Sequence, residues 1–228
     1  MYKYLINILF PPLCLSCKDL LMSQERFLCA TCLHDLPLTN IHINNSKIIN
    51  AIFYGSIELK YALALFYYHK KGVVQQLIHH LKYKNNEAIG EYLGKWYGEE
   101  LRVSGKFKDV DIVIPVPLHK KRLQKRGYNQ VTKFAQQLAI NIDAVFLDEV
   151  LLREKHTNSQ IFKNKLKRWT NVNTIFKLTS SQQIQGKHIL LVDDVITTGA
   201  TLKACAKEFQ KVENVTLSIA AIAYTELV

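Results

Sequence analysis

The sequence predicts an α/β protein, a mostly parallel sheet with helices on both faces, with a small metal-binding module at its N-terminus. Three observations predict it. Short apolar runs alternate with stretches of helical spacing from Tyr61 to Tyr224, the pattern of parallel strands joined by crossover helices. Four of the five cysteines fall within the first thirty-two positions. A run of four apolar residues, Ile189 to Val192, leads through two aspartates into a hydroxyl-rich turn and a helix.

Bulk properties set the frame. A chain of 228 residues suits one large domain with a small appendage. The expected division is a metal-binding module with opening helix and linker over residues 1–45, and a main domain over residues 46–228. With 48% hydrophobic and 21% charged residues, the composition is that of a globular protein with a sizeable core. No apolar run is long enough to span a bilayer. The stretch Met1 to Phe10 is apolar but short, and Pro11, Pro12 and cysteines follow it in place of a small-residue cleavage site. An amphipathic helix packed on its own domain is therefore expected, and a cytoplasmic protein. The formal net charge of +11 points to anionic partners, phosphorylated metabolites or nucleic acid. Basic residues are densest over His119 to Arg126 and Arg153 to Arg168.

Element by element, Leu36 to Ile49 is polar and asparagine-rich and reads as a linker. Tyr61 to Tyr68 reads as a strand. Val74, Leu77, Ile78 and Leu81 share one face of a helix over Val73 to Leu81, and Ala88 to Leu101 reads as a second helix. Asp111 to Pro117 is a short buried strand ended by prolines. A helix over Val131 to Ile140 and a strand over Ala144 to Leu152 follow. Arg153 to Thr170 is polar and basic, a long loop or a loop with a short helix. His188 to Val192 makes a strand, Ala200 to Phe209 a helix, and Val215 to Tyr224 a last strand.

Cys14, Cys17, Cys29 and Cys32 form two C-x2-C pairs separated by eleven residues. Such pairs bring four thiolates to one tetrahedral ion. Structural Zn2+ is the first reading, with an iron–sulfur centre or disulfides as the alternatives. Four thiolates would close the shell, so this ion folds its segment and does not catalyse. His34 reads as a bystander and Cys205 as a core thiol.

The segment Ile189 to Thr201 carries the chemistry. Asp193 and Asp194 stand at the carboxyl end of a strand, where open α/β sheets place ligands. Thr197, Thr198, Gly199, Ala200 and Thr201 then open a helix, and backbone N–H groups in such a turn bind phosphate. Gly199 allows the tight turn. Carboxylates beside a phosphate cradle suit a ribose 5-phosphate, hydroxyls to the acids and phosphate to the loop. The plainer alternative is a strand end whose threonines only cap the next helix.

Ile189 to Thr201 resembles, position for position, the signature of type I phosphoribosyltransferases. The two C-x2-C pairs, Val116-Pro-Leu-His119, Arg126-Gly-Tyr-Asn-Gln130 and Thr157-x-x-Gln160 with Leu166, Arg168, Asn171 and Phe176 look like the ComF family. Its members are associated with natural competence and DNA uptake, and many are described as amidophosphoribosyltransferase-like. The resemblance implies binding of 5-phosphoribosyl 1-pyrophosphate with Mg2+, the ribose hydroxyls on Asp193 and Asp194 and the 5-phosphate on residues 197–201. It places a pyrophosphate loop at Leu118, His119 and Lys120. It also implies a mobile hood over Arg153 to Arg168, with Arg153, Lys155, Lys163 and Arg168 as anion contacts.

Two functions follow from this sequence. One is a phosphoribosyltransferase acting on an acceptor that the sequence does not name. The other is a non-catalytic accessory of DNA uptake that binds phosphoribosyl groups or single-stranded DNA, alone or with other uptake proteins. Glutamine-dependent amination has no support, because Cys14 is neither terminal nor free of the metal module.

Overall fold

A computed structural model describes residues 10–155 and 174–226. The expected opening helix, and Lys163 and Arg168, lie outside the described residues. Five parallel strands form the central sheet in the order β1-β7-β6-β2-β3. They are β1 (Ala62–Tyr67), β2 (Ile112–Pro115), β3 (Val145–Phe146), β6 (His188–Ile196) and β7 (Thr216–Tyr224). Between β3 and β6 the chain forms a separate antiparallel ribbon of β4 (Leu151–Lys155) and β5 (Thr174–Leu178). The last eight residues of β7 are all buried, which requires cover on both faces of the sheet, as expected for parallel strands.

The helices supply that cover. α1 (Ala30–His34), α2 (Ile41–Asn44) and α3 (Ile48–Phe53) precede β1. α4 (Val73–Tyr83) and α5 (Glu87–Ser104) lie between β1 and β2, and α6 (Lys120–Arg126) and α7 (Thr132–Ile142) between β2 and β3. α8 (Ala200–Phe209) joins β6 to β7. α4 buries Val74, Leu77, Ile78 and Leu81, the stripe its spacing predicts. α5 and α7 approach closely because α5 presents glycines to α7. A Cβ on Gly94 would lie 2.6 Å from the Phe134 carbonyl oxygen, and one on Gly98 2.8 Å from Asn141 Cβ.

Four expectations need correction. Residues 36–49 are not a free linker. The Tyr67 N–H donates to the Pro37 carbonyl at 2.8 Å and the Thr39 N–H to the Leu65 carbonyl at 3.0 Å, so this stretch docks on β1 and then forms α2 and the start of α3. The strand expected from Ala144 to Leu152 is two strands in different sheets. Arg153 to Lys155 continue β4 where a loop was expected. β6 runs four residues past Val192, through both aspartates, to Ile196.

Candidate active site

β6 is the middle strand of the sheet, and its carboxyl end holds the two acids. They face different partners, as neighbours on a strand must. Asp193 lines a shallow pocket with Ile196, Thr197, Thr198, Gly199 and Thr201. Asp194 is 7% exposed and points to a different set of groups. The Lys82 ammonium donates to its Oδ1 at 2.9 Å and the Gln130 amide to its Oδ2 at 2.5 Å. Its N–H donates to Asp193 Oδ1 at 2.8 Å. Burial, and then the charge of Asp194 beside it, push the Asp193 carboxyl up to about 7, against the pull of that N–H, Lys82 and Arg153.

The turn after β6 is built for close approach. Gly199 is buried with φ +70°, and a Cβ there would lie 2.8 Å from Phe53 Cε1 and 3.1 Å from Ile52 Cγ2. Thr197 and Thr198 are exposed. No side chain caps the first turn of α8, so the threonines do not serve as its cap. The first N–H groups of a helix have no partner within the helix, and here the residues that carry them, Ala200, Thr201 and Leu202, line the same pocket as Asp193. Helix starts of this kind are suited to an anion.

Leu118, His119 and Lys120 follow β2, whose neighbour is β6. The Val116 N–H donates to the Val192 carbonyl at 2.8 Å, which holds this segment beside the acids. The turn expected here runs directly into α6, with His119 Nδ1 accepting from the Lys121 N–H at 3.2 Å. No residue of α6 is buried, so it presents Lys120, Lys121, Arg122 and Lys125 to solvent. Behind it, the motif Arg126 to Gln130 ties the site together. Gly127 ends the helix with φ +83°. The Tyr128 hydroxyl donates to the Leu81 carbonyl, and Asn129 Nδ2 to the Val116 carbonyl at 3.0 Å. Arg126 donates to Gln130 Oε1, and Gln130 in turn holds Asp194.

Of the expected hood, Arg153 is described and Lys155 ends β4. The Arg153 guanidinium lies over the Phe176 ring at 5.4 Å, and its Nε is buried with no partner among the described residues. Burial and the nearby Arg122 charge hold its pKa below the usual arginine value, while Cys205 and Asp193 oppose this. Two guanidiniums that repel, near the pocket, are a pair that an anion would stabilise.

Lys82 and Gln130 are the functional residues that sequence reasoning left without a role. Lys82 lies four positions after Ile78 on the buried stripe of α4. A lysine at such a position needs an acidic partner, and that signal was available.

The four module cysteines meet in space. Their sulfurs all lie within 4.8 Å of one another, with Cys17 Sγ 3.6 Å from Cys29 Sγ. A tetrahedral Zn–S shell with bonds of about 2.3 Å sets its sulfurs roughly 3.8 Å apart, so the cluster fits a metal such as zinc. The knuckle is closed by the Cys14 N–H on the Asp19 carbonyl at 2.8 Å, with Lys18 at φ +71°. Burial opposes a Cys14 thiolate, but N–H donors from Cys29, Cys17 and Ser16 outweigh it and hold the thiol at about 6. No described helix is long and apolar enough to cross a membrane.

A model of the phosphoribosyl transferase domain matches residues 123–225. Competence protein F of Haemophilus influenzae is 34% identical over 139 residues, 59% of this chain and 61% of that protein. DNA utilization protein YhgH of Escherichia coli O157:H7 is 32% identical over 135 residues, 58% of each chain. Competence protein ComFC of Streptococcus pneumoniae is 28% identical over 144 residues, 63% of this chain and 59% of that protein. The chain thus matches about three fifths of the length of each of these relatives.

Proposed function

We propose that this chain, a ComF-family protein of the type I phosphoribosyltransferase-like class, binds 5-phosphoribosyl 1-pyrophosphate at the carboxyl end of β6 and transfers its phosphoribosyl group in a cell's handling of incoming DNA. One observation carries the reading: a half-buried carboxylate, Asp193, lines the same pocket as the uncapped first turn of α8. The 5-phosphate takes the N–H groups and hydroxyls of residues 197–201. Asp193 accepts from the ribose hydroxyls, while Asp194, held by Lys82 and Gln130, fixes the strand end and adds its charge. Mg2+ held by the ligand's own oxygens near Asp193 would neutralise the diphosphate. The module cysteines hold Zn2+, which shapes the N-terminal segment.

Transfer breaks the bond from the anomeric carbon to diphosphate as an acceptor forms its own bond there, through a sugar with developing positive charge. Residues that hold the two ends and neutralise the leaving group supply most of what that step needs. Here the loop fixes the phosphate end. Arg122, Arg153 and the segment Leu118 to Lys120 face the side from which diphosphate leaves, and the Asp193–Asp194 pair stabilises the cationic sugar.

A second reading has an observation of its own. α6 is exposed from Lys120 to Lys125 and carries Lys120, Lys121, Arg122 and Lys125, a surface for nucleic-acid phosphates in a DNA-uptake accessory. Nucleic-acid affinity would then fall steeply with salt as counterions are released.

The test is calorimetric titration of the full chain with 5-phosphoribosyl 1-pyrophosphate and Mg2+, backed by thermal unfolding. Ligand at a hundredfold its dissociation constant stabilises by about 2.7 kcal/mol, or roughly 5–10 °C here. Asp193→Asn is expected to abolish the shift. No binding by the wild-type chain would end this reading and favour the second.

A further inference from the structure

At the opposite end of the sheet a second cavity of about 160 Å3 opens between α2–α3, the start of β1 and the connection from α5 to β2 at Lys106 and Phe107. Three lysines line it, Lys47, Lys60 and Lys106, and no carboxylate does. Lys60 is paired outside the cavity with Asp109. Lys106 is held by neutral acceptors only, the His42 carbonyl at 2.8 Å, the Ile43 carbonyl at 3.4 Å and Asn45 Oδ1 at 2.7 Å. Its position is therefore fixed, and among the described residues no carboxylate lies at ion-pair distance from it, although Glu99 and Glu100 line the adjoining groove with it. Asn50 adds an amide to the same wall.

One buried group in the lining also lacks a partner. His42 is 4% exposed, and its Nδ1 makes no hydrogen bond among the described residues. Its Nε2 lies 3.2 Å from Glu100 Oε2. Burial, and after Glu100's opposing charge that of Lys106, keeps the ring neutral by lowering its pKa. With its one proton on Nε2, on the side of Glu100, Nδ1 is an acceptor; Glu100 Oε2 and the hydroxyl of Tyr97, whose ring packs edge-on against His42, are also buried without a partner among the described residues. A buried polar atom without a partner is costly and unusual.

We propose that this cavity is a second anion site, distinct from the phosphoribosyl pocket, that binds a phosphate group as its monoanion. The phosphate oxygens meet Lys106, Lys47 and the Asn50 amide, and the remaining P–OH serves as donor toward His42. Free phosphate and a small phosphate monoester share this chemistry. The volume, equal to about five waters at ~30 Å3 each, admits either and excludes a nucleotide. Along the sheet the cavity lies about 17–20 Å from the loop at residues 197–201, five to six residues at ~3.3 Å each, so the two sites do not overlap.

The experiment is titration of the 15N-labelled full chain with inorganic phosphate, and separately with glycerol phosphate, at constant pH and ionic strength. Amide shifts are followed in two regions, residues 45–50 with 60–61, and residues 197–201. Saturable shifts are expected in the first region, with affinity lowered about tenfold by Lys47→Gln, the loss of one charge-assisted contact. Lys47 is exposed, so that variant folds, and shifts at residues 197–201 serve as its internal control. Tighter binding of glycerol phosphate would assign the site to a monoester, and equal or weaker binding to free phosphate. Shifts that grow without saturating, that survive Lys47→Gln undiminished, or that stay confined to residues 197–201 would overturn the proposal. Saturation at residues 45–50 without any response at 197–201 would leave it standing and count against the phosphoribosyl pocket instead.

Discussion

The Lys82 ammonium of α4 lies 2.9 Å from the Asp194 carboxylate of β6, with side chains 23% and 9% exposed. This pair makes the two adjacent acids unequal. Asp194 is part of a network running from Arg126 through Gln130 to Lys82. Asp193 has no cation at hydrogen-bond distance among the described residues.

Asp194→Asn should therefore cost the apo protein about 1–3 kcal/mol, because it leaves a part-buried ammonium without its anion. Asp193→Asn should cost nothing and relieve the repulsion between neighbours. Urea denaturation of the two single variants measures the difference. Equal losses would mean that Lys82 does not discriminate between the acids.

The raised Asp193 pKa sets a pH dependence. Folding raises this carboxyl from 3.8 to about 7, so the folded state holds a proton that the unfolded state releases. The corresponding stability is complete below about pH 4 and is lost as pH rises toward 7 and through it. Denaturation midpoints of the apo protein from pH 4.5 to 8 should thus carry a downward contribution that Asp193→Asn removes. Identical slopes in the two proteins would show that Asp193 titrates as an ordinary carboxyl.

Gly94 and Gly199 are both closed to a side chain, for different reasons. At Gly94 the obstacle is the backbone carbonyl of Phe134 at 2.6 Å, so Gly94→Ala should force α5 and α7 apart and cost roughly 1–3 kcal/mol. At Gly199 the obstacle is the Phe53 ring, together with φ +70°. Gly199→Ala should cost about 1–2 kcal/mol for the left-handed backbone and also weaken ligand binding. Adding Phe53→Leu should recover only part of that loss. Full recovery would show that the ring alone closes the site.

Thiol counting tests the metal module. Chelation should unfold the segment before residue 40 while the main domain stays folded, and should expose four reactive thiols out of five. Cys205 is fully buried and its thiol is pushed well above its usual value by burial and by Asp193, so it should stay silent. A thiol reagent with circular dichroism reads both effects. Collapse of the whole signal would mean that the module and the sheet fold as one unit, which the shared burial of Cys14, Leu28, Cys32 and Leu36 with the main core makes a pointed question.

What the sequence made legible was whatever carries a local pattern. The stripe Val74, Leu77, Ile78, Leu81 and the cysteine pairs are periodic or spaced signals, and each appears as expected. β6 was expected to stop at Val192 because two carboxylates in a row look like a strand end. Asp194 stays in the strand with Lys82 and Gln130 as partners from positions more than sixty residues away, and Asp193 stays with it by accepting from the Asp194 N–H. α6 buries nothing, so it has no apolar stripe to read. Residues 36–49 look like a linker because part of their docking uses backbone groups of Pro37 and Thr39, which any sequence possesses, and the side chains that are buried, Leu36, Ile41 and Ile49, are spread thinly among polar neighbours. For the site, the loop at residues 197–201 was readable, and the reason Asp194 differs from Asp193 was not.

The sheet closes on its own first strand last. β1 pairs with β7 alone among the strands of its sheet, and the Tyr61 N–H reaches Ser218 Oγ across 157 positions. During synthesis β1 emerges early and must wait, the edge that β7 takes unpaired, until β7 has left the ribosome. Long-range parallel pairing of this kind folds slowly and exposes strand edges meanwhile. A chain cut short before Thr216 would lose not only β7 but also the partner that keeps β1 and β6 apart from other molecules, so C-terminal truncation should yield aggregates and not a smaller soluble protein.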